Sequence, residues 1–101
     1  MTETQPAADA PLFIVINAAS GHHDAEQTIT RISAILDEGG RRHQILRVPE
    51  PSQIGAVARH AVERALAHQG VVVAVGGDGT LNAVAQVVHG RGLAYAVLPQ
   101  G

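Results

Sequence analysis

The sequence contains no cysteine, no lysine and no tryptophan, and Phe13 and Tyr95 are its only aromatic side chains of the Phe, Tyr or Trp type. Without cysteine there is no disulfide framework, no thiolate nucleophile and no cysteine-ligated zinc. Without lysine the chain cannot form a Schiff base and lacks the lysine of a P-loop. The low aromatic content excludes a base-stacking platform, and a net charge of −2 gives no support to a nucleic-acid-binding function.

Long hydrophobic runs are also absent, since no stretch approaches the ~20 apolar residues that a membrane-spanning helix needs. The 101 residues are 46% apolar and 16% charged, which is typical of one small globular domain. Residues 1–11 are acidic, contain proline and lack the apolar segment of a signal peptide, so they predict a flexible tail. We expect a folded domain over residues 12–101 in a cytoplasmic protein.

Apolar segments of two periodicities alternate along the rest of the chain. Continuous apolar runs of about five or six residues predict strands that are buried on both faces. Such runs lie at Leu12–Ile16, Val71–Val75 and Leu93–Leu98, and a weaker strand is predicted at His43–Val48, where Arg47 interrupts the apolar residues. Stretches with helical spacing lie between them and predict three helices. We expect Asp24 to cap the first helix, Ser52 to cap the second, and the third to run from about Thr80 to His89.

The resulting order β-α-β-α-β-α-β is typical of an α/β fold with an open parallel sheet and right-handed crossovers. We predict helices on both faces of the sheet, which makes three α/β/α layers, and the strand order 2-1-3-4. Ligands of such sheets bind beyond the carboxyl ends of the strands, where the strand order reverses. The loops after strands 1 and 3 are therefore expected to lie side by side at the binding site.

The loop after strand 3 has the more specific chemistry. Gly76, Gly77 and Gly79 allow the backbone to approach a ligand closely, and Thr80 begins the predicted helix. Free N–H groups at a helix N-terminus favour an anion, above all a phosphate. Asp78 would repel a phosphate unless it holds a metal ion or accepts a proton, and a magnesium nucleotide meets that condition. The alternative is a tight strand-to-helix turn in which Asp78 only caps the helix.

The loop after strand 1 carries a weaker signal. Asn17 ends the strand, and Ser20 and Gly21 offer a hydroxyl and backbone N–H groups. Alone, these residues are more typical of an ordinary polar loop between a strand and a helix. Their predicted place beside the glycine turn leaves an ordinary loop and a role in ligand binding as equal alternatives.

Together these motifs resemble the catalytic domain of diacylglycerol kinases, a family that includes bacterial lipid kinases, sphingosine kinases and ceramide kinases. The run Gly76-Gly77-Asp78-Gly79-Thr80 followed by Leu81-Asn82 is similar to the family's nucleotide-binding motif. Asn17-Ala18-Ala19-Ser20-Gly21 is similar to its first motif, Asn-Pro-x-Ser-Gly, and Leu98-Pro99-Gln100-Gly101 resembles the opening of a third, Pro-x-Gly-Thr. The resemblance extends over about residues 12–101.

The resemblance implies transfer of the γ-phosphate of ATP to a lipid hydroxyl, with ATP and Mg²⁺ as ligands. It implies that the glycines and Thr80 cradle phosphates and that Asn17, Ser20 and Gly21 line the nucleotide. Asp78 would hold Mg²⁺ or polarise the attacking hydroxyl. The full-length protein would meet its lipid substrate at the periphery of a membrane.

Three departures from the family pattern stand out. Ala18 replaces the usual proline, and Ala83 replaces the usual glutamate, which removes an acid near the phosphates. The family's enzymes are longer and carry a second, β-rich domain that supplies the lipid site. We therefore expect this chain to be the nucleotide-binding part, truncated before that domain, inactive alone and a weak binder of nucleotide.

Two other functions stay open from the sequence. NAD kinases share the glycine motif, although Ser20-Gly21 and Asn82 are closer to the lipid kinases. A stand-alone module could instead hold nucleotide or a partner chain without turnover. Strand 4 would be an apolar sheet edge, which favours association with another chain, including a second copy.

Among the basic residues, Arg47 near the end of strand 2 is the one best placed to contact a phosphate. Arg41 and Arg42 are expected in an exposed turn. The adjacent His22 and His23 lie near the first loop, but no pair of histidines has the spacing of a zinc-binding helix.

Overall fold

The computed structural model of the chain describes residues 9–17 and 22–100, with the backbone alone for residues 22–24. The predicted tail up to residue 8 and the loop residues Ser20 and Gly21 lie outside this part of the chain. The elements are β1 (Leu12–Asn17), α1 (His22–Glu38), β2 (His43–Val48), α2 (Ile54–His68), β3 (Val71–Gly76), α3 (Asp78–Val88) and β4 (Ala94–Pro99), with a 3₁₀ turn at Pro51–Gln53.

The four strands form one parallel sheet in the order β2-β1-β3-β4, which confirms the predicted topology. β1 lies at the centre, where Ile14 pairs with Ile45 of β2 and with Val73 of β3. The crossover from β1 to β2 and the crossover from β2 to β3 leave β1 and β3 adjacent, so that the strand order reverses between them. This is the position where the ligand crevice of such a fold is expected.

Two hydrophobic cores cover the two faces of the sheet, as the three-layer prediction requires. α2 and α3 pack on one face, where the small residues Ala58, Ala61 and Ala65 of α2 lie against the sheet. α1 packs on the other face, where Ile29 contacts the cluster of Ile14, Ile16 and Val75. The alternation along β1 follows from strand geometry, since successive side chains point to opposite faces.

The boundaries of several elements differ from the sequence prediction. α1 begins at His22, so Asp24 lies inside the helix and is not its cap. Ser52 does not cap α2, because Pro51 starts a 3₁₀ turn that leads into the helix and the N-cap residue Gln53 makes no side-chain cap bond. Packing also begins before residue 12, since Ala10 is buried and its carbonyl accepts a hydrogen bond from Arg41 Nε at 2.8 Å.

β4 is one open edge of the described sheet, and β2 is the other. Val97 and Leu98 on β4 are 49% and 43% exposed, so this edge is apolar and open in the described chain, as the predicted strand order implied. β2 carries Arg47 and His43, and a charged side chain on an edge strand opposes pairing with another chain. No helix of the described part of the chain is long and apolar enough to cross a membrane.

Gly70, between α2 and β3, is fixed by close packing at the amino end of the sheet. A Cβ at this position would lie 2.6 Å from both Phe13 Cε2 and the Pro11 carbonyl oxygen. That carbonyl already accepts a hydrogen bond from the Val71 N–H at 2.9 Å, so it cannot move freely. We expect Gly70→Ala to lower the free energy of unfolding by about 1–3 kcal/mol, the usual cost of overpacking, as measured by urea denaturation.

The matched control is Gly55→Ala in α2, where the added Cβ would meet only the end of the Arg59 side chain at 3.4 Å. Because alanine favours a helix over glycine, this variant should be as stable as the parent or slightly more stable. A Gly70→Ala variant with unchanged stability would contradict the prediction.

Candidate functional site

The carboxyl ends of β1 and β3 meet at one edge of the sheet, as the sequence predicted. Asn17 is the last residue of β1, Gly76 is the last residue of β3, and the two strands pair in parallel up to Ile16 and Val75. The two loops that the sequence singled out therefore begin next to each other. Ser20 and Gly21 of the first loop lie outside the described residues, so their predicted role stays a prediction.

The turn from β3 to α3 is built on two glycines. Gly76 has a φ of +153°, a conformation that favours glycine, and Gly77 is extended and serves as the N-cap of α3. The Leu81 N–H donates to the Gly77 carbonyl at 3.0 Å, which closes the first turn. The helix therefore starts at Asp78, two residues before the predicted start, because the extended Gly77 allows it to begin at once.

Asp78 is the first residue of α3 and is exposed. Gly77 is the N-cap residue and Asp78 already lies within the helix, so the interpretation of Asp78 as a simple helix cap is wrong. Its carboxylate forms no hydrogen bond or ion pair with the described residues, although a negative charge in a first turn is favoured by the helix dipole. A carboxylate left open at a helix start is available to a cation.

Thr80 differs from its neighbours because it is buried, with 5% of its surface exposed. Its Oγ1 accepts a long hydrogen bond of 3.4 Å from Asn17 Nδ2, which joins the end of β1 to the first turn of α3. A Cβ on Gly76 would lie 3.0–3.2 Å from three Thr80 side-chain atoms. Thr80 therefore connects the two predicted motifs through its packing and its hydrogen bond, and it is also a predicted site residue.

An open pocket of about 410 Å³ lies at this edge, and its lining includes four of the six predicted site residues that the structure describes, but not Gly76 or Asp78. It is lined by Asn17, Gly77, Gly79 and Thr80, and by Pro51 and Ile54. The last two come from the segment between β2 and α2, which the sequence analysis did not assign to the site. The sequence did contain a signal for Pro51 and Ile54. Pro49 and Pro51 follow β2, and the carboxyl end of this strand lies at the same edge of the sheet.

The lining of this pocket, as far as the structure describes it, contains no arginine or histidine. Arg47, which was expected to be the best placed arginine, instead forms a two-bonded ion pair with Glu26 of α1, at 3.1 and 3.2 Å. The hydrogen bond from Arg47 lowers the pKa of the Glu26 carboxyl, and the same bond raises the pKa of Arg47. The pair joins the start of α1 to the end of β2.

The third motif lies beside the glycine turn. Pro99 pairs with Gly76, and the Gln100 N–H donates to the Gly76 carbonyl at 2.8 Å. The Gln100 side chain reaches across the edge and donates from Nε2 to Thr28 Oγ1 of α1 at 3.1 Å. β4 and α1 therefore support the turn from either side.

Within residues 9–17 and 22–100 no group of three His, Cys, Asp or Glu residues could hold a metal ion by itself.

Tyr95 anchors α3 to β4, because its hydroxyl donates to the Leu81 carbonyl at 2.7 Å. Burial raises the pKa of Tyr95. Since the folded protein then holds this proton more tightly than the unfolded chain, its contribution to stability is complete below pH ~10 and is lost as the pH rises further. Tyr95→Phe should cost about 1 kcal/mol at neutral pH, the usual value of one hydrogen bond.

Urea denaturation of the parent and of Tyr95→Phe from pH 8 to pH 11 tests this pH dependence, because the range includes the ordinary tyrosine pKa of ~10. The difference in unfolding free energy between parent and Tyr95→Phe should shrink at the alkaline end. A difference that stays constant would show that the phenol does not titrate with folding.

Comparison with known proteins extends these observations. A model of the diacylglycerol kinase catalytic domain matches residues 11–101, which is nearly the whole chain. No match was found among curated proteins. The matched range includes the glycine turn, the end of β1 and the Pro99-Gln100 segment, and the chain therefore belongs to the diacylglycerol kinase catalytic domain family, a family of kinases.

Proposed function

We propose that this chain is the ATP-binding part of a lipid kinase, which transfers the γ-phosphate of ATP to a hydroxyl of diacylglycerol or a related lipid. Family membership supports the reaction class. The observation that carries the proposal is the pocket of about 410 Å³ at the N-terminus of α3, where a glycine turn faces the end of β1.

The backbone supplies the chemistry for binding phosphate. The first N–H groups of α3 have no partner within the helix, and the helix dipole adds partial positive charge at the same place. Gly77 and Gly79 line the pocket without side chains, so a phosphate can approach these N–H groups closely. Ser20 and Gly21 would add contacts from the first loop, and Asn17 would contact the nucleotide beside Thr80.

Mg²⁺ fits the residues that are present. The described lining has no basic side chain to balance the charge of a triphosphate. Asp78 is not itself a lining residue, but it lies between the lining residues Gly77 and Gly79 and carries a carboxylate at the start of α3. Proteins bind Mg²⁺ through one or two carboxylates together with substrate phosphates, so one aspartate is a sufficient protein ligand. When bound, the ion supplies charge neutralisation for the phosphate groups.

Catalysis would then depend mainly on positioning, because phosphoryl transfer needs little covalent chemistry from the protein. The hydrogen bonds from Asn17 to Thr80 and from Gln100 to Gly76 connect the turn to β1 and to the end of β4. The lipid would enter a cleft between this part and a second domain. Asp78 could alternatively accept a hydrogen bond from the attacking hydroxyl.

The direct test is titration of the ¹⁵N-labelled chain with ATP and Mg²⁺ by NMR. The amide signals of Asn17 and of residues 77–80 should shift, and those at the opposite end of the sheet should not. A parallel titration with NAD addresses the NAD kinase-like alternative, which requires a site for NAD as well. Absence of ATP-dependent shifts at residues 77–80 would overturn the proposal.

A second assay addresses the expected inactivity of the chain alone. Incubation with radiolabelled ATP, Mg²⁺ and diacylglycerol in mixed micelles should give no phosphorylated lipid. Formation of phosphatidic acid by the purified chain would show that the site needs no second domain.

A further inference from the structure

A second recess lies at the opposite end of the sheet from the candidate site. It has a volume of about 200 Å³ and is lined by residues that include Phe13, Arg42, His43, Gln44, Arg64 and His68. We call this recess the basic groove. It lies where β1 and β2 begin and α2 ends, whereas Asn17 and Gly76 mark the ends of their strands.

Arg64 is held in a defined orientation in the basic groove. Its guanidinium carbon lies 5.7 Å from the centroid of the Phe13 ring, and its Nε donates to Gln44 Oε1 at 3.2 Å. These contacts involve the ring face and Nε, and both terminal nitrogens have no hydrogen-bond partner among the described residues. A guanidinium whose orientation is already fixed, and whose terminal nitrogens still have N–H groups to donate, loses little conformational entropy when it binds an anion.

Arg42 supplies the second guanidinium from the segment directly before β2. Its Nη2 donates to the Asp9 carbonyl at 3.2 Å, and its other nitrogens have no partner among the described residues. Two imidazoles complete the lining, since His68 stacks on Phe13 with ring centroids 6.1 Å apart and His43 Nδ1 lies 3.2 Å from the Arg41 carbonyl.

The charge of the basic groove is of one sign. Among the described residues no carboxylate lines it. The acids beside it are Asp9, whose backbone carbonyl bonds Arg42, and Asp37, which lines a neighbouring recess with Arg42 and His43. The C-terminus of α2 contributes about half a negative charge at most, which two guanidinium groups outweigh. Capping of that helix does not explain the arrangement either, because Arg42 lies in the segment directly before β2 and not in α2.

We propose that the basic groove is a second ligand site, which binds the phosphate group of an anionic ligand between Arg42 and Arg64. Planar guanidinium groups match the oxygens of a phosphate, and paired N–H donors make such contacts specific. The buried Phe13 ring lies beneath Arg64 and beside His68 and helps to fix the orientation of both side chains. This ligand has two sources, a soluble phosphate ester or the headgroup of an anionic phospholipid. The proposal does not depend on the function of the pocket at α3.

The test compares Arg42→Gln with Arg31→Gln in the full chain. Both variants remove one positive charge, but Arg31 is an exposed residue of α1 with no place in the basic groove. Each protein is titrated with inorganic phosphate by NMR, and its cosedimentation with vesicles of phosphatidylcholine, with and without phosphatidylglycerol, is measured. Signals of residues 42–44 and 64–68 report the groove, and those of residues 77–80 report the other site.

If the ligand is a soluble phosphate ester, inorganic phosphate should shift the groove signals. Arg42→Gln should weaken this binding about tenfold, the value of one charged hydrogen bond. Arg31→Gln should leave the binding unchanged. If the source is a lipid, only vesicles with phosphatidylglycerol should bind, again with loss in Arg42→Gln. Arg64→Gln should weaken binding in the same way. Thermal unfolding of this variant shows whether the weaker binding reflects the lost charge or the lost packing of Arg64 on Phe13. No groove shift together with equal cosedimentation of Arg42→Gln and Arg31→Gln would overturn the proposal.

Discussion

Replacing Gly76 by alanine is expected to damage both the fold and the candidate site. The residue has a φ of +153°, which an L-amino acid with a side chain rarely adopts. The added Cβ would also lie 3.0–3.2 Å from Cβ, Oγ1 and Cγ2 of the buried Thr80. We expect a loss of about 1–3 kcal/mol in the free energy of unfolding, the range of backbone strain, and ATP binding weakened about tenfold by one misplaced phosphate contact.

The reason for the loss of binding is geometric. Gly76 ends β3, and its carbonyl accepts the Gln100 N–H, so a change in its backbone moves the turn relative to β4. The same change pushes on Thr80, which carries the link to Asn17. Urea denaturation measures the loss of stability, and NMR titration with ATP and Mg²⁺ measures the loss of affinity for ATP. An alanine variant of unchanged stability would show that the turn relaxes without cost.

Gly79→Ala is the matched variant that separates binding from folding. Gly79 lies inside α3, is exposed, and has no atom within 4 Å of an added Cβ. Alanine should therefore leave the fold intact or stabilise it by about 0.5–1 kcal/mol, as glycine disfavours a helix. If phosphates approach the start of α3 closely, the methyl group should still weaken ATP binding. Unchanged ATP binding by Gly79→Ala would place the nucleotide elsewhere.

The sheet was predictable because its signal is local and repeated. Runs such as Val71–Val75 are apolar on both faces, and this requires a parallel sheet covered by helices. The order β2-β1-β3-β4 is one of the few that right-handed crossovers allow for four strands. The juxtaposition of Asn17 with the glycine turn is then a consequence of topology.

The details of the site depend on contacts between residues that are distant in sequence, and these could not be predicted from local pattern. The bond from Asn17 to Thr80 spans 63 positions, and nothing local distinguishes a buried Thr80 from an exposed one. Among the arginines, Arg47 is the best placed for a phosphate contact by sequence, because its strand ends at the same edge of the sheet. The choice of Glu26 as its partner depends on how α1 packs on the sheet.

Helix starts were the least predictable feature. Candidate caps such as Asp24 and Ser52 have the right chemistry, but the backbone of the preceding turn decides where the helix begins. Pro51 forces a 3₁₀ turn before α2, and the extended Gly77 lets α3 begin at Asp78. This last shift matters for function, because it moves Asp78 from the turn onto the first position of the helix.

Asp78→Asn is expected to reverse the effect of Mg²⁺ on the affinity for ATP. Without the metal, the carboxylate at the start of α3 repels the phosphates, so the asparagine variant should bind ATP more tightly than the parent. With Mg²⁺, the parent gains a metal ligand that the variant lacks, and its affinity should exceed that of the variant by about tenfold, the value of one charged contact. The two binding curves should therefore change order when EDTA replaces Mg²⁺.

The variant is well suited to this comparison because Asp78 makes no hydrogen bond or ion pair with the described residues. The fold should lose at most the helix-dipole contribution of about 0.3–1 kcal/mol, which urea denaturation measures. Asp37→Asn, which removes an acid from the end of α1 and lies in the recess beside Arg42, is the matched control and should keep the order of the parent. If Asp78→Asn keeps the full gain from Mg²⁺, then Asp78 does not hold the metal. Equal affinities in EDTA would show in addition that the phosphates do not approach the start of α3, because a carboxylate at that position must repel them once the ion is removed.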